Sequence, residues 1–437
     1  MSSVGDECPV QPATDSLPGR QRRLNWRRVV GPGLITGASD DDPSGIATYS
    51  QTGAQFGFAL SWTMILTFPL MTAVQMISAR IGRVTGKGLA GNLARNYPSW
   101  LTHSLVLLLL IANTINIGAD LGAMADATAL VTGLPGPVFL LAFAAFCATA
   151  EVVMRYEAYA RVLKWLTLAL LSYIATLFMV HIPWDEAGKG LTLPKVEWNG
   201  ETLMMIVAIF GTTISPYLFF WQASQEAEEV QDRDGEQPLK CDPMEGRVEL
   251  KRIGLDTVIG MAASNIVALS IIFVTAATLN ANGVANIRTS ADAAEALRPF
   301  AGNYASLIFA LGVVGTGLLA VPVLAGSSAY AIGEARRWPV GLDRKPKRAK
   351  AFYATIVAAT MIGALMNFTP IDPIRALLIS AMINGIVAVP VMAIMMLVAV
   401  RKSIMGVFTV NGALLWLGWL ATVVMGAAVV AMFVALA

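Results

Sequence analysis

The chain has 437 residues, of which 56% are hydrophobic and 14% charged; its net charge is +2 and its mean hydropathy +0.62. Soluble domains carry about 25% charged residues, so these figures exclude an ordinary cytosolic enzyme and a disordered chain, and the near-neutral balance leaves no footprint for nucleic acid. Three widely spaced cysteines (Cys8, Cys147, Cys241) and two histidines (His103, His181) fit neither a zinc motif, a disulfide framework nor a His-dependent hydrolase.

A spanning helix needs about 20 apolar residues. Apolar segments separated by short polar ones predict eleven helices, near 29–57, 59–81, 101–132, 136–153, 162–181, 203–224, 253–280, 303–333, 350–368, 374–400 and 408–436. Residues 1–28 form a polar tail ending in Arg20, Arg22, Arg23, Arg27 and Arg28. The apolar stretch after it is too long for a signal peptide. With this tail in the cytoplasm and the chain alternating, only Lys189, Lys195, Arg288, Arg298 and Arg375 of the 31 basic residues fall outside. That bias obeys the positive-inside rule. It predicts a multi-pass protein of the cell (inner) membrane, N-terminus cytoplasmic and C-terminus extracytoplasmic. The chain then divides into the tail 1–28, a five-helix unit 29–181, a second unit 203–400 and a last helix 408–436.

Two predicted spans are interrupted. The first carries Asp40-Asp41-Asp42-Pro43-Ser44-Gly45 in its middle. Each ionised carboxylate at that depth costs about 2.5–3.5 kcal/mol on insertion scales. Proline removes a backbone donor, and Asp42 before it is pushed out of the helical region. Such a segment must line an enclosed or watery cavity. The sixth span carries Gly211-Thr212-Thr213-Ile214-Ser215-Pro216-Tyr217, again a small polar residue before proline. Four uninterrupted spans separate the two breaks, so the second unit enters from the opposite side. Paired breaks in inverted halves mark a midplane site in secondary transporters. Either break alone would read as a proline kink.

A break frees the carbonyls of the preceding half-helix, at the negative end of its dipole. Carbonyls near Ala38, Ser39, Thr212 and Thr213, with Asp42, make a cavity of hard oxygen donors suited to a cation. The stretch lacks Cys, His and Met, and oxygen donors favour Mg²⁺, Ca²⁺ or Mn²⁺ over softer metals. A sparse oxygen site suits a partly hydrated Mg²⁺.

The stretch GPGLITGASDDDPSGIATYSQTGAQFG resembles helix 1 of the Nramp divalent-metal transporters, which carry Asp-Pro-Gly-Asn there and Met-Pro-His in helix 6. The resemblance covers residues of about 29–400. It implies an all-α membrane fold of eleven transmembrane helices, a LeuT-like 5+5 inverted repeat with helices 1 and 6 broken, plus an extra C-terminal helix. It places Asp42 and Pro43 on the metal-binding Asp-Pro and Gly45 at the ligand asparagine. Thr212 takes the place of an alanine offering its carbonyl, Ser215 that of the metal-selecting methionine, and Tyr217 that of a histidine. These departures resemble the Nramp-related magnesium transporters. One of the two acidic helix 3 positions tied to proton coupling falls on Asp120 and the other on Ile117, which points to weakly coupled or passive uptake.

The expectation is therefore a transporter of Mg²⁺, with Mn²⁺ also plausible, using Asp42, Gly45, Thr212 and Ser215 as metal contacts. Asp40, Asp41, Ser44, Asp120, Tyr217 and Asn384 are further candidates to support the site or line its path. Asn113, Asn116 and Asp120 share a helix face; they line a path or serve as polar glue between helices. Glu226, Glu228, Glu229 and Asp232 read as a solvated helix end, with a metal site as the rival. The divalent ion is substrate, no cofactor is expected, and the implied partners are the ion and the lipid bilayer. Alternatives are a proton-coupled Mn²⁺/Fe²⁺ Nramp transporter and an amino-acid or Na⁺-coupled carrier on the same fold. A membrane enzyme ranks last, since it would need a nucleophile–base pair within the spans.

Overall fold

The computed structural model describes residues 32–153, 168–192, 196–232, 237–342, 344–368 and 372–437; the basic tail lies outside them. Every regular element among the described residues is helical. The helices of seven residues or more are α1 Pro32–Asp40, α2 Pro43–Phe56, α3 Trp62–Thr85, α4 Leu89–Asn96, α5 Ser99–Thr132, α6 Gly136–Val153, α7 Leu171–Leu177, α8 Trp184–Thr192, α9 Gly200–Thr213, α10 Pro216–Asp232, α11 Gly246–Thr278, α12 Ala305–Arg336, α13 Lys350–Met366, α14 Pro373–Val400 and α15 Gly412–Leu436.

Eight helical segments among the described residues are long and apolar enough to cross a membrane. The three other predicted spans differ for separate reasons. The first is divided into α1 and α2. The fifth lies partly outside the described residues. The ninth, α13, has 17 residues.

Both interruptions fall where proline dictates. α1 ends at Asp40 and α2 starts with Pro43 as its first residue, where a missing N–H costs nothing. α9 ends at Thr213, and α10 starts with Pro216. The broken pairs pack together, α9 against α2 and α1 against α10, with α5, α11 and α14 around them.

Close packing needs glycine at particular points. A Cβ on Gly37 of α1 would fall 2.4 Å from the Gly260 carbonyl of α11, and one on Gly211 of α9 would fall 2.0 Å from the Ala381 carbonyl of α14. Asp256 of α11 also caps α1, accepting from the N–H groups of Gly33 at 2.7 Å and Leu34 at 3.1 Å. Asn113 of α5 donates to the Leu324 carbonyl and to the hydroxyls of Ser327 and Ser328 on α12. It is the interhelical glue its spacing suggested.

The stretch after residue 225 differs from expectation. α10 continues to Asp232, and Glu226 is buried rather than solvated. Its carboxylate meets Arg252 of α11 at 2.8 Å; Arg252 also meets Glu249 at 2.9 Å, and Arg83 of α3 meets Glu249 at 3.1 Å. Charge in this segment therefore ties three helices together. Cys241, in the following link, is disulfide-bonded, which the cysteine spacing did not foretell.

Replacing Gly37 with leucine forces α1 off α11. Overpacking of this kind costs about 1–3 kcal/mol, so the purified G37L variant is expected to melt at lower temperature than wild type. An unchanged melting temperature would contradict this contact.

Candidate ion-binding site

Asp42 is the residue on which the first break turns. Its backbone is extended (φ −68°, ψ 170°), so it serves as the N-cap of α2, and its carbonyl accepts the N–H of Ile46. Its Oδ1 accepts from the Gly45 N–H and the Ser44 hydroxyl, both at 2.7 Å; its Oδ2 accepts from the Asn116 amide of α5 at 3.0 Å. Three donors thus converge on one carboxylate that is 1% exposed. Asn116 is itself fixed, because its Oδ1 accepts from the Ser380 hydroxyl of α14 at 2.7 Å.

Gly45 and Thr212 come together. A Cβ on Gly45 would lie 3.2 Å from the Thr212 hydroxyl. That hydroxyl is 3.5 Å from Ser44 Oγ. Since Ser44 gives its proton to Asp42, Thr212 is the donor in this contact. The first turn of α2 therefore abuts the last turn of α9, with Asp42 between α2 and α5.

Ser215 lies at the second break, but its hydroxyl turns back on α9. It donates toward the carbonyls of Gly211 at 2.7 Å and Thr212 at 2.9 Å. It caps the end of α9. Tyr217 sits just past Pro216, and its hydroxyl donates across the gap to the Ser39 carbonyl of α1 at 3.0 Å. Tyr49 of α2 lies 3.0 Å from the Thr213 hydroxyl. Thr213 already donates to Ile209, so Tyr49 is the donor. Two tyrosines therefore lace each broken helix to the other.

Asp40 and Asp41 point elsewhere. Ser264 Oγ of α11 lies 2.7 Å from Asp40 Oδ2 and 3.0 Å from Asp41 Oδ1; its single proton serves one of them at a time. Asp120 of α5 is buried beside the first turn of α2, and neither of its oxygens has a hydrogen-bond partner. Asn384 of α14 is also buried with neither amide atom bonded. Its neighbour Gly385 packs on Gly211, so Asn384 lies level with the second break.

Among the predicted residues, Asp42, Ser44, Gly45 and Thr212 form one cluster. Ser215 and Tyr217 hold its frame, and Asp40 and Asp41 face α11. Sequence reasoning missed the roles of Asn116, Ser380, Ser264 and Asp256. Asn116 alone left a signal, a buried amide on the face it shares with Asp120, and that signal did not separate glue from site. The cluster offers a carboxylate, hydroxyls and carbonyls, a donor set for a hard cation. Further along α2, Gln51 donates to the Ala285 carbonyl and accepts from the Ile287 N–H, and near the far end of α10 Glu226 meets Arg252.

A family model described as natural resistance-associated macrophage protein-like, Nramp, matches residues 33–435. A divalent metal cation transporter, MntH, of Chromohalobacter salexigens is 26% identical over 325 residues, 73% of this chain and 73% of that protein. The similarly named protein of Acidiphilium cryptum is 25% identical over 419 residues, 93% of this chain and 90% of its own. The crystal structure of the manganese transporter of Eremococcus coleocola superposes with a TM-score of 0.70 at 16% identity, covering 95% of this chain and 88% of that one. That last likeness is one of fold.

Removing the Asn116 amide takes a donor from Asp42. Loss of a group that orients a metal ligand costs about 10–100-fold in affinity. Titration calorimetry of Asn116→Ala with Mn²⁺ is expected to show that weakening, and wild-type affinity would exclude Asn116 from the site.

Proposed function

This chain belongs to the Nramp family, and from that premise we propose that it is a secondary transporter carrying divalent metal ions across the cell membrane by alternating access. The proposed topology is eleven spans with the N-terminus cytoplasmic and the C-terminus outside, arranged as a LeuT-like pair of inverted five-helix units and one added helix. The observation that carries the reading is Asp42: a buried carboxylate at the break of the first span, aimed by three donors and with no cationic side chain on it among the described residues.

The substrate proposed first is Mg²⁺, with Mn²⁺ as the next candidate. Asp42 and the neighbouring hydroxyls of Ser44 and Thr212 present hard oxygen, and Mg²⁺ is held by few carboxylates while keeping several waters. Asp42 supplies charge; Gly45 and Thr212 border the ion; Ser215 keeps the wall small and free of sulfur. Since Asp42, Ser44 and Thr212 are each at most 1% exposed, the ion reaches them only when helices around the gap move. The α1 half, held to α11 by Asp256 and Gly37, and the strap on Gln51 are the contacts that must loosen in turn. Uptake is proposed to run without tight proton coupling, because the helix 6 position of the family histidine is Tyr217, a hydroxyl committed to Ser39.

A second reading, proton-coupled Mn²⁺ transport, is favoured by Asp120, a buried carboxylate close to Asp42. An imposed pH gradient separates the two, since it drives uptake only in the coupled case.

In proteoliposomes, Mg²⁺ uptake is expected in wild type and to fall to background in Asp42→Asn; undiminished uptake in that variant would refute the assignment. Ser215→Met introduces a soft ligand. It is expected to raise inhibition of uptake by Cd²⁺ and to weaken Mg²⁺ transport, whereas an unchanged ion ranking would remove Ser215 from the selectivity account.

A further inference from the structure

Asp120 differs from the two asparagines that share its helix face. Asn113 is fully engaged as a donor to α12, and Asn116 bridges Asp42 and Ser380. Those are the bonds that polar glue makes. Asp120 makes none, although it is 0% exposed. Buried polar groups are almost always paired, and an unpaired buried carboxylate costs several kcal/mol.

Its position is fixed by its neighbours one turn away on either side. Asn116, four residues before, donates to Asp42 Oδ2 at 3.0 Å. Met124, four residues after, packs on Gly317 of α12, at a point where an added Cβ would also lie 3.2 Å from Pro43. A helix rises 1.5 Å per residue, so Asp120 sits between these contacts, alongside Asp42 and Pro43. Asp42 and the Ser44 N–H are its electrostatic neighbours. No ion pair to Asp120 or Asp42 exists among the described residues.

We propose that Asp120 is a second anionic ligand of the transported ion, so that Asp42 and Asp120 together neutralise its two charges. This rests on the reading of the gap as a divalent-cation site. The pair explains why a buried carboxylate without hydrogen bonds is tolerated: its partner is the cargo, held directly or through a retained water. It also adds a selectivity that donor softness does not supply. Of this pair, a monovalent ion leaves one buried negative charge uncompensated, whereas a divalent ion compensates both, and at low dielectric the residual charge is expensive.

The test is calorimetric titration of purified full-length protein with Mn²⁺, for wild type, Asp42→Asn, Asp120→Asn and Asp120→Glu. Asp120→Asn is expected to bind about 10–100-fold more weakly, the loss typical when a group ordering a metal site is removed. Asp120→Glu, which keeps the charge, is expected to retain most of the affinity, and a merely structural role would not track charge in this way. Wild-type affinity in Asp120→Asn, with binding lost in Asp42→Asn, overturns this proposal and leaves the transport reading standing. Absence of binding of both Mn²⁺ and Mg²⁺ in wild type overturns both. Should Asp120→Asn fail to fold, anomalous diffraction from Mn²⁺-soaked wild-type crystals decides the matter. A peak between Asp42 and Asp120 supports the pair, and a peak on the side of Asp42 away from α5 contradicts it.

Discussion

A helix that starts inside a hydrophobic layer has N–H groups with no water to receive them, and it must bring its own acceptor. Asp42 is that acceptor for α2. Its carboxylate takes the Gly45 N–H and so solves the backbone problem that Pro43 creates. The same carboxylate is then a negative charge held in place by two further donors, Ser44 and Asn116. In the proposed reading, structural need and cation affinity arise from one side chain, and the rest of the gap is arranged around it.

The arrangement holds because both breaks are enclosed by packed helices. Glycines at 37, 211 and 260 let neighbouring backbones approach to distances that any side chain would prevent. Tyr217 and Tyr49 cross between the two broken helices, and Ser215 satisfies carbonyls at the end of α9. The tyrosine bonds run from one helix to another, so displacing α1 or α9 disturbs the gap directly. That coupling is what an alternating-access carrier requires, since small shifts in packed elements change which side reaches the ion.

Much of this was legible in the sequence because membrane and backbone physics leave few options. An Asp-Pro or Ser-Pro pair inside an apolar run can only be a break, and three adjacent acids cannot face lipid. The juxtaposition of Gly45 with Thr212 followed from pairing the two breaks. What stayed hidden was direction. Nothing in a linear pattern shows that the Ser215 hydroxyl turns back to Gly211, that Asp40 and Asp41 face Ser264, or that Asn116 serves Asp42 while Asn113 serves α12. Those outcomes depend on which helices meet at that level, and the partners are more than 70 residues away in the chain for Asn116 and more than 200 for Ser264. Glu226 was misjudged for a similar reason. Its neutralising Arg252 belongs to the next helix, so a buried pair read as a solvated end.

If the gap holds one hard divalent cation through Asp42, equilibrium dialysis of the purified wild-type protein against ⁵⁴Mn²⁺, with Mg²⁺ as competitor, will register it. One saturable, Mg²⁺-displaceable ion per chain is expected, and it should disappear when Asp42 becomes asparagine. Saturable binding that survives this change, or none in wild type, would rule the Asp42 site out.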